Sequence, residues 1–556
     1  MFSRWFLILG SIMLSIAVFM QVPQFLHQIR PEAQGIMVHL NSDEYAYLAR
    51  VQEGLSGRPE QAAEAIVGDP EIQGLQAGLI EKAYGVLFQW TGWRAATLLQ
   101  VMDSVMPPLL FLAIWFFFVL CGFTRVQALV GAMFFILINL YGLNRPIYQR
   151  ASALLVLLSF IGVLMGLKKH WGYGVLGGVL LGVLPAVYFW SWTYAWAWFG
   201  LLFLWTLFEK EKRKEVHLLF FFGLVCLVTS APFFWDMWQL SHHPLYEIGV
   251  FRSGIHHARM PESVPYSILF LMMSGGVLGT LFTKKELRCR FSLVAITILT
   301  SFIVINQQLI HGITFNFVSH YLFLLAISAV MVLVFVCESI KWCRPSTPLR
   351  TTKTVMVSGV EPMTVWLLIA LIGSLVYLSA LTYDGRYIFK QFQVDPASFS
   401  EQHFASALPI LDALPRATIL SDNETSHFIA GATKHDVVYS VYLKNVLMTH
   451  EELAERLCLT TAALPTEERH FEEWSHLIYP DAVSAFRDPV VRAREVELVE
   501  SSCELVDSDP QNYIENFHVD YILWDEERHP TWNLTRLRVP LTLVEQGEGW
   551  SLWEFE

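Results

Sequence analysis

The sequence predicts an α-helical polytopic membrane protein of about eleven transmembrane helices, N-terminus inside and C-terminus outside, with a C-terminal non-cytoplasmic α/β soluble domain. Three observations predict it. Hydrophobic residues make up 54% of the chain and charged residues 16%, against roughly 45–50% and 25% in soluble domains. The excess sits in blocks of about 17–22 apolar residues, long enough for a hydrocarbon core of about 30 Å. Beyond about residue 383 the blocks stop, and short apolar strands alternate with amphipathic helices. A β-barrel would show short alternating segments instead. The net charge of −12 comes mostly from the acidic tail, and it argues against nucleic-acid binding, which needs a basic footprint.

The apolar blocks fall near 5–22, 98–120, 126–141, 151–167, 173–189, 192–208, 216–234, 266–282, 291–306, 320–337 and 364–381. The first has no small-residue cleavage site after it and reads as a retained anchor. With the N-terminus in the cytoplasm, the inward loops hold Arg125; Lys168 and Lys169; Lys210, Lys212, Arg213 and Lys214; Lys284, Lys285, Arg288 and Arg290; and Lys341, Arg344, Arg350 and Lys353. The later outward loops hold only Arg145, Arg150, Arg252 and Arg259. Basic residues crowd cytoplasmic loops, so the alternation fits an odd number of spans. Two domains follow: a transmembrane domain over 1–382, with a long first outward loop at about 23–97, and an outward soluble domain over 383–556.

The tight hairpin around Phe189–Trp192 is rich in aromatics, among them Tyr188, Trp190, Tyr194 and Trp198. They suit a carbohydrate platform or, in the preferred reading, an interfacial aromatic belt. In the tail, 417–420 and 521–524 read as strands, 426–431 as a helix start and 436–442 as an alternating strand. The segment 450–464 reads as a helix capped by Thr449 and Glu452. Residues 541–545 and 551–555 flank a Gly-Glu-Gly turn as a hairpin. Neither a phosphate-binding glycine loop nor a nucleophile elbow is present in the tail. Of seven cysteines, only Cys458 and Cys503 fall on the outward side, where a disulfide forms. Two separate buried thiols are the alternative.

Chemistry concentrates in the outward loops. The first carries Asp43 and Glu44 within Asn-Ser-Asp-Glu-Tyr-Ala-Tyr-Leu-Ala-Arg. Adjacent carboxylates at a membrane surface serve as a general base or a cation ligand. Asp-Glu after Asn-Ser is also an ordinary helix cap, and the two roles are compatible. The second loop carries Arg145 and Arg150 and no acid. Arginine holds phosphate oxygens bidentately; as interfacial anchors the two would do nothing further. The third loop has Arg252, His256, His257 and Arg259, which suit phosphate contact or a solvated loop. Asn306, Gln307, His311 and His320 in the fourth loop suit sugar hydroxyls in a cavity or plain helix-end hydrogen bonds. Asp103, near the outer end of the second span, faces that cavity or the interface.

This layout resembles the GT-C glycosyltransferases, polytopic enzymes that use polyprenyl-phosphate-linked sugars and include protein O-mannosyltransferases, aminoarabinose transferases and oligosaccharyltransferases. The resemblance rests on the first span, the long first loop with Asp43-Glu44, the short hairpins after it and the outward tail. It implies a transferase acting on a polyprenyl-linked donor at the outer face, with Asp43 as base and Glu44 in support. The acceptor is a glycan, lipid or protein. Metal-dependent members keep further acids in the second outward loop. This chain has none there, so no cofactor is required and a two-loop divalent-cation site is not expected. Other readings are a flippase of lipid-linked saccharides, though no inverted repeat of broken spans is evident, and a non-catalytic scaffold with a partner-binding tail. The expected location is a bacterial inner membrane with the tail in the periplasm.

Overall fold

A computed structural model of the chain describes residues 2–37, 44–58, 74–75, 78–139, 147–209, 212–261, 263–315, 318–340, 362–384, 399–479 and 489–556. Each of the eleven expected spans overlaps a helix: Phe2–Gln28, Ala95–Leu120, Arg125–Ile138, Tyr148–Lys168, Trp171–Val183, Phe189–Phe208, Arg213–Ser241, Val264–Thr283, Lys285–Val304, Leu322–Ser339 and Pro362–Asp384. Among the described residues, eight helices are long and apolar enough to cross a membrane, and Arg125–Ile138 and Trp171–Ala186 are shorter apolar helices. The protein is a multi-pass helical membrane protein with a small sheet near its C-terminus.

The chain divides into two units, neither continuous in sequence. The first contains 1–20, 103–235 and 257–392, and the second 21–102, 236–256 and 393–556. The sequence boundary near 382 gave the first and third outward loops to the membrane part. In the structure most of both belongs to the second unit.

In the first unit, helices approach through glycine. A Cβ on Gly162 would lie 2.8 Å from the Gly177 Cα, and one on Gly166 would lie 2.5 Å from the Gly174 Cα. Helices Tyr148–Lys168 and Trp171–Val183 therefore meet backbone to backbone, as small residues allow in lipid. Buried hydroxyls tie other helices together. Tyr194 hydrogen-bonds Ser328 at 2.9 Å and Ser301 at 3.3 Å, and Trp198 Nε1 donates to Thr297 Oγ1 at 3.1 Å. Trp198 is fully buried and stacks on Phe160 with centroids 3.9 Å apart. These two aromatics are bundle core, neither belt nor platform.

The second unit is built on a five-stranded sheet. Its strands are β1 (Thr418–Leu420), β2 (Asp436–Val437), β3 (Val519–Asp525), β4 (Leu541–Gly547) and β5 (Trp550–Phe555). The order is β2-β1-β3-β5-β4, with β1 parallel to both β2 and β3 and the β4–β5 hairpin antiparallel. Helix Glu44–Leu55 of the first loop packs on helix Asn423–Ala432, where Leu48 Cβ sits 3.0 Å from a Cβ position on Gly431. It also crosses Leu79–Phe88 at Gly54 and Gly85. Cys458 and Cys503 are joined in a disulfide with Cα atoms 4.9 Å apart.

Candidate functional site

The helix that follows the acid pair begins at Glu44, which is buried. Asp43 lies outside the described residues, as does Arg145. Tyr45 donates to Glu401 Oε1 at 2.6 Å, and its ring meets His427 with centroids 5.2 Å apart. Burial pushes the Tyr45 phenol well above its usual range, and the Glu401 charge adds to it. Further along, Arg50 pairs with Glu81 at 3.3 Å with both side chains buried. Glu53 is held by Arg58 and by Arg416, the latter at 3.5 Å. The start of the acid-pair helix is thus rigidly held by its own unit.

In the membrane unit the charge that stands out is Arg150, at the start of helix Tyr148–Lys168 and fully buried. Its Nη1 donates to Asp103. Its Nε and Nη2 are buried and have no hydrogen-bond partner among the described residues. A buried guanidinium so placed is costly unless a second anion completes it. Two residues on, Ser152 accepts from Ser191 at 2.8 Å, which joins this helix end to the start of Phe189–Phe208. Beside Ser191, Trp190 packs on His320 with centroids 4.3 Å apart, and the His320 ring bonds the Tyr188 hydroxyl. Gln307 Nε2 donates to the Tyr321 hydroxyl at 2.8 Å, and that hydroxyl also meets Thr193 Oγ1 at 2.6 Å. One end of the bundle therefore carries an arginine with two open N–H groups beside a wall of hydroxyls and aromatic rings.

Of the residues read from sequence, the structure brings Asp103, Arg150, Gln307 and His320 to this end of the bundle. Asp103 is the ion-pair partner of Arg150. Asn306 accepts from Ser267 at 2.8 Å and donates to Phe302 O at 2.8 Å, a helix-end role. His311 is exposed, with its Nδ1 accepting from Ile313 N at 3.1 Å. The third-loop residues do not gather. His257 and Arg259 are exposed, and the side chain of His256 lies outside the described set. Arg252 is fully buried in the second unit and donates to the carbonyls of Val446, Met448 and Thr449 at 2.7, 2.7 and 3.2 Å. The phosphate role expected of Arg252 is therefore replaced by a backbone anchor. Thr193, Ser152 and Tyr321 were not singled out from sequence. A polar residue inside an apolar block is the signal that marks them.

No protein-family model matches the chain, and no characterised protein matches it by sequence. Among solved structures it is similar to ArnT from Cupriavidus metallidurans bound to undecaprenyl phosphate, at 12% identity and TM-score 0.46 over 99% of this chain and 98% of that one. It is also similar to the arabinofuranosyltransferase AftD from Mycobacteria, at 12% identity and TM-score 0.49, over 99% of this chain and 40% of that one. A third is the Archaeoglobus fulgidus oligosaccharyltransferase, at 11% and 0.41, over 99% of this chain and 74% of that one. At these identities and scores none of the likenesses assigns a role to a residue.

Proposed function

We propose that this chain is an integral-membrane glycosyltransferase. It takes a sugar from a polyprenyl-phosphate-linked donor and passes it to an acceptor at the outer face of the membrane. The observation that carries the reading is Arg150, buried, paired to Asp103 on one side and open at Nε and Nη2. Those two N–H groups match the bidentate geometry of a phosphate. Asp103 orients the guanidinium and holds it in place while the donor is absent.

In the reaction the acceptor's nucleophilic atom attacks the anomeric carbon. Asp43 takes its proton, and the bond to the donor phosphate breaks. The phosphate leaves with the electron pair, and Arg150 stabilises the charge that grows on it. Glu44 opens a helix whose first turns are fixed by Tyr45 and Arg50, and the proposed base directly precedes it in sequence. The Cys458–Cys503 disulfide supports an oxidising location for the tail. With the cation alternation it supports the reading of an N-in, C-out protein of the inner membrane, its tail in the periplasm.

Membranes carrying the protein and a labelled polyprenyl-phosphate sugar test the reading. Asp43→Asn is expected to lower transfer by about 10²–10⁴-fold with insertion intact. Because Asn caps a helix about as well as Asp, an Asp43→Asn protein with full activity removes the base. Movement of the donor across the bilayer without cleavage would identify a flippase instead.

A further inference from the structure

We infer that the sheet domain holds a second ligand site, for the hydroxyl groups of a sugar, at the carboxyl ends of β1 and β3. In an open sheet, ligands bind outside the carboxyl ends of parallel strands, at the point where successive connections leave in opposite directions. Here β1 has β2 on one side and β3 on the other, all three parallel. The chain leaves β1 towards β2 and returns to the far side as β3, so the switch point lies between β1 and β3. Ser421 Oγ bridges the two strand ends, donating to Leu523 O at 2.6 Å.

A carboxylate stands on each side of that point. Asp422 follows β1 and is 5% exposed; Asp525 ends β3 and is 1% exposed. Oδ1 of Asp422 caps helix Asn423–Ala432, accepting from Glu424 N and Thr425 N, and also faces Arg528 Nη1 at 3.2 Å. Oδ1 of Asp525 accepts from Arg528 N at 3.0 Å, with His403 Nε2 3.3 Å away and out of line for a hydrogen bond. Both Oδ2 atoms are buried without any hydrogen-bond partner, and so is Ser426 Oγ one turn along the helix; Arg528 Nε stands 3.8 Å from the Asp525 Oδ2, an ion pair beyond hydrogen-bond reach. Buried carboxylate oxygens are not left empty without cost.

The chemistry narrows the occupant. Two acidic groups share one guanidinium, so the site wants donors. Burial would raise the Asp422 pKa, but His529 and Arg528 outweigh it and hold the carboxyl well below its usual range. It therefore stays an acceptor at any working pH. Among the described residues no group of three or more His, Cys, Asp or Glu is arranged to hold a metal ion. Paired acceptors about an arginine, with a His529–Trp532 stack at 5.2 Å beside them, suit the adjacent hydroxyls of a sugar ring. Arg528 and His529, about a quarter exposed at 25% and 23%, form the outer wall through which it enters.

The test is thermal unfolding and calorimetric titration of the full chain in nanodiscs with methyl mannoside, ribose and glucosamine. No lipid-linked donor is present, so the result is independent of any transferase activity. Binding of methyl mannoside or ribose to the wild type, weakened at least tenfold in Asp422→Asn/Asp525→Asn, is the expected result. Asn keeps the helix cap and both Oδ1 contacts. Arg528→Lys, which leaves both carboxylates, is expected to weaken binding less. Absence of binding by either neutral sugar, equal binding by the double variant, or binding of glucosamine alone would overturn the proposal, the last in favour of an ammonium site.

Discussion

The two units hide polar groups for different reasons. The second unit is riveted by ion pairs: the buried pair of Arg50 with Glu81, and the half-buried pairs of Arg416 with Asp436 and Arg469 with Asp507. Arg252 there is a backbone anchor. The described helices of the membrane unit rely on glycine contacts and hydroxyl pairs instead, because lipid offers no hydrophobic gain for helix association. A buried arginine is therefore ordinary in one unit and exceptional in the other. The contrast teaches that burial of a charge marks a site only where the surroundings do not already supply its partners. By that measure Arg150 in the membrane unit and the two Asp Oδ2 atoms in the sheet domain, buried without a hydrogen bond, stand apart from the rivets.

The comparison can be broken most decisively at the disulfide. Replacing Cys458 and Cys503 by Ser releases a 45-residue loop, which costs about 4 kcal/mol by loop entropy. Hydrogen exchange should show the loss in the second unit and spare the glycine-packed helices. Equal loss of protection in both would mean they share one stability. Next, Arg150→Lys keeps the charge against Asp103 but loses the fork. Transfer should fall about 10²–10³-fold, some 3–4 kcal/mol, with little change in melting. A purely structural Arg150 would instead lower melting and leave transfer in the surviving protein unchanged. Third, Gly177→Leu puts a side chain 2.6 Å from Val163 N and 2.8 Å from Ser159 O. It should destabilise the membrane unit by about 1–3 kcal/mol, while Gly10→Leu, with nothing within 4 Å, serves as control.

The smallest effect concerns pH. His435 is buried, with Nε2 donating to Leu411 O at 2.7 Å and Nδ1 accepting from Ala417 N at 3.2 Å. Burial lowers its pKa, so the unfolded chain binds the proton more readily than the folded one. Its stabilisation is present above the ordinary histidine value of about 6.5 and is lost as pH falls below it. The slope is at most about 1.4 kcal/mol per pH unit. His435→Gln should flatten the stability of the second unit between pH 7 and 5; an unchanged slope would show that other groups set it.

Much of the fold was legible because lipid imposes a coarse rule: apolar blocks of fixed length become helices, and each of the eleven blocks overlaps one. The hairpin at 541–555 and the strand around 521–524 were legible from alternation and turn glycines. The stretch 436–442 was misread in part. Only Asp436–Val437 is strand, and the chain turns into a 3-10 helix at Val441, capped by Ser440 and held by Asn423 Oδ1. That contact comes from another helix and has no local signal. The same holds for the aromatic hairpin, where Trp198 and Tyr194 find Thr297, Ser301 and Ser328 about a hundred residues away. Arg252 looked like a free cation because the carbonyls that engage it lie almost two hundred residues on. Helix Pro489–Ser508 went unread because its charged face and modest amphipathicity resemble a solvated loop. At the site, residue types were readable, but the Arg150–Asp103 pairing was not, since nothing in a single sequence marks which buried charges meet.

Tyr45 and Glu401 hydrogen-bond across 356 residues of sequence. At a synthesis rate of about 5–20 residues per second, the first-loop helix emerges roughly 20–70 s before the partner it packs against. During that interval its apolar face, Tyr47, Leu48 and Val51, has no sheet domain to cover it. The order of synthesis thus leaves the helix that begins at Glu44 half-finished throughout that interval, its apolar face exposed until the sheet domain is made.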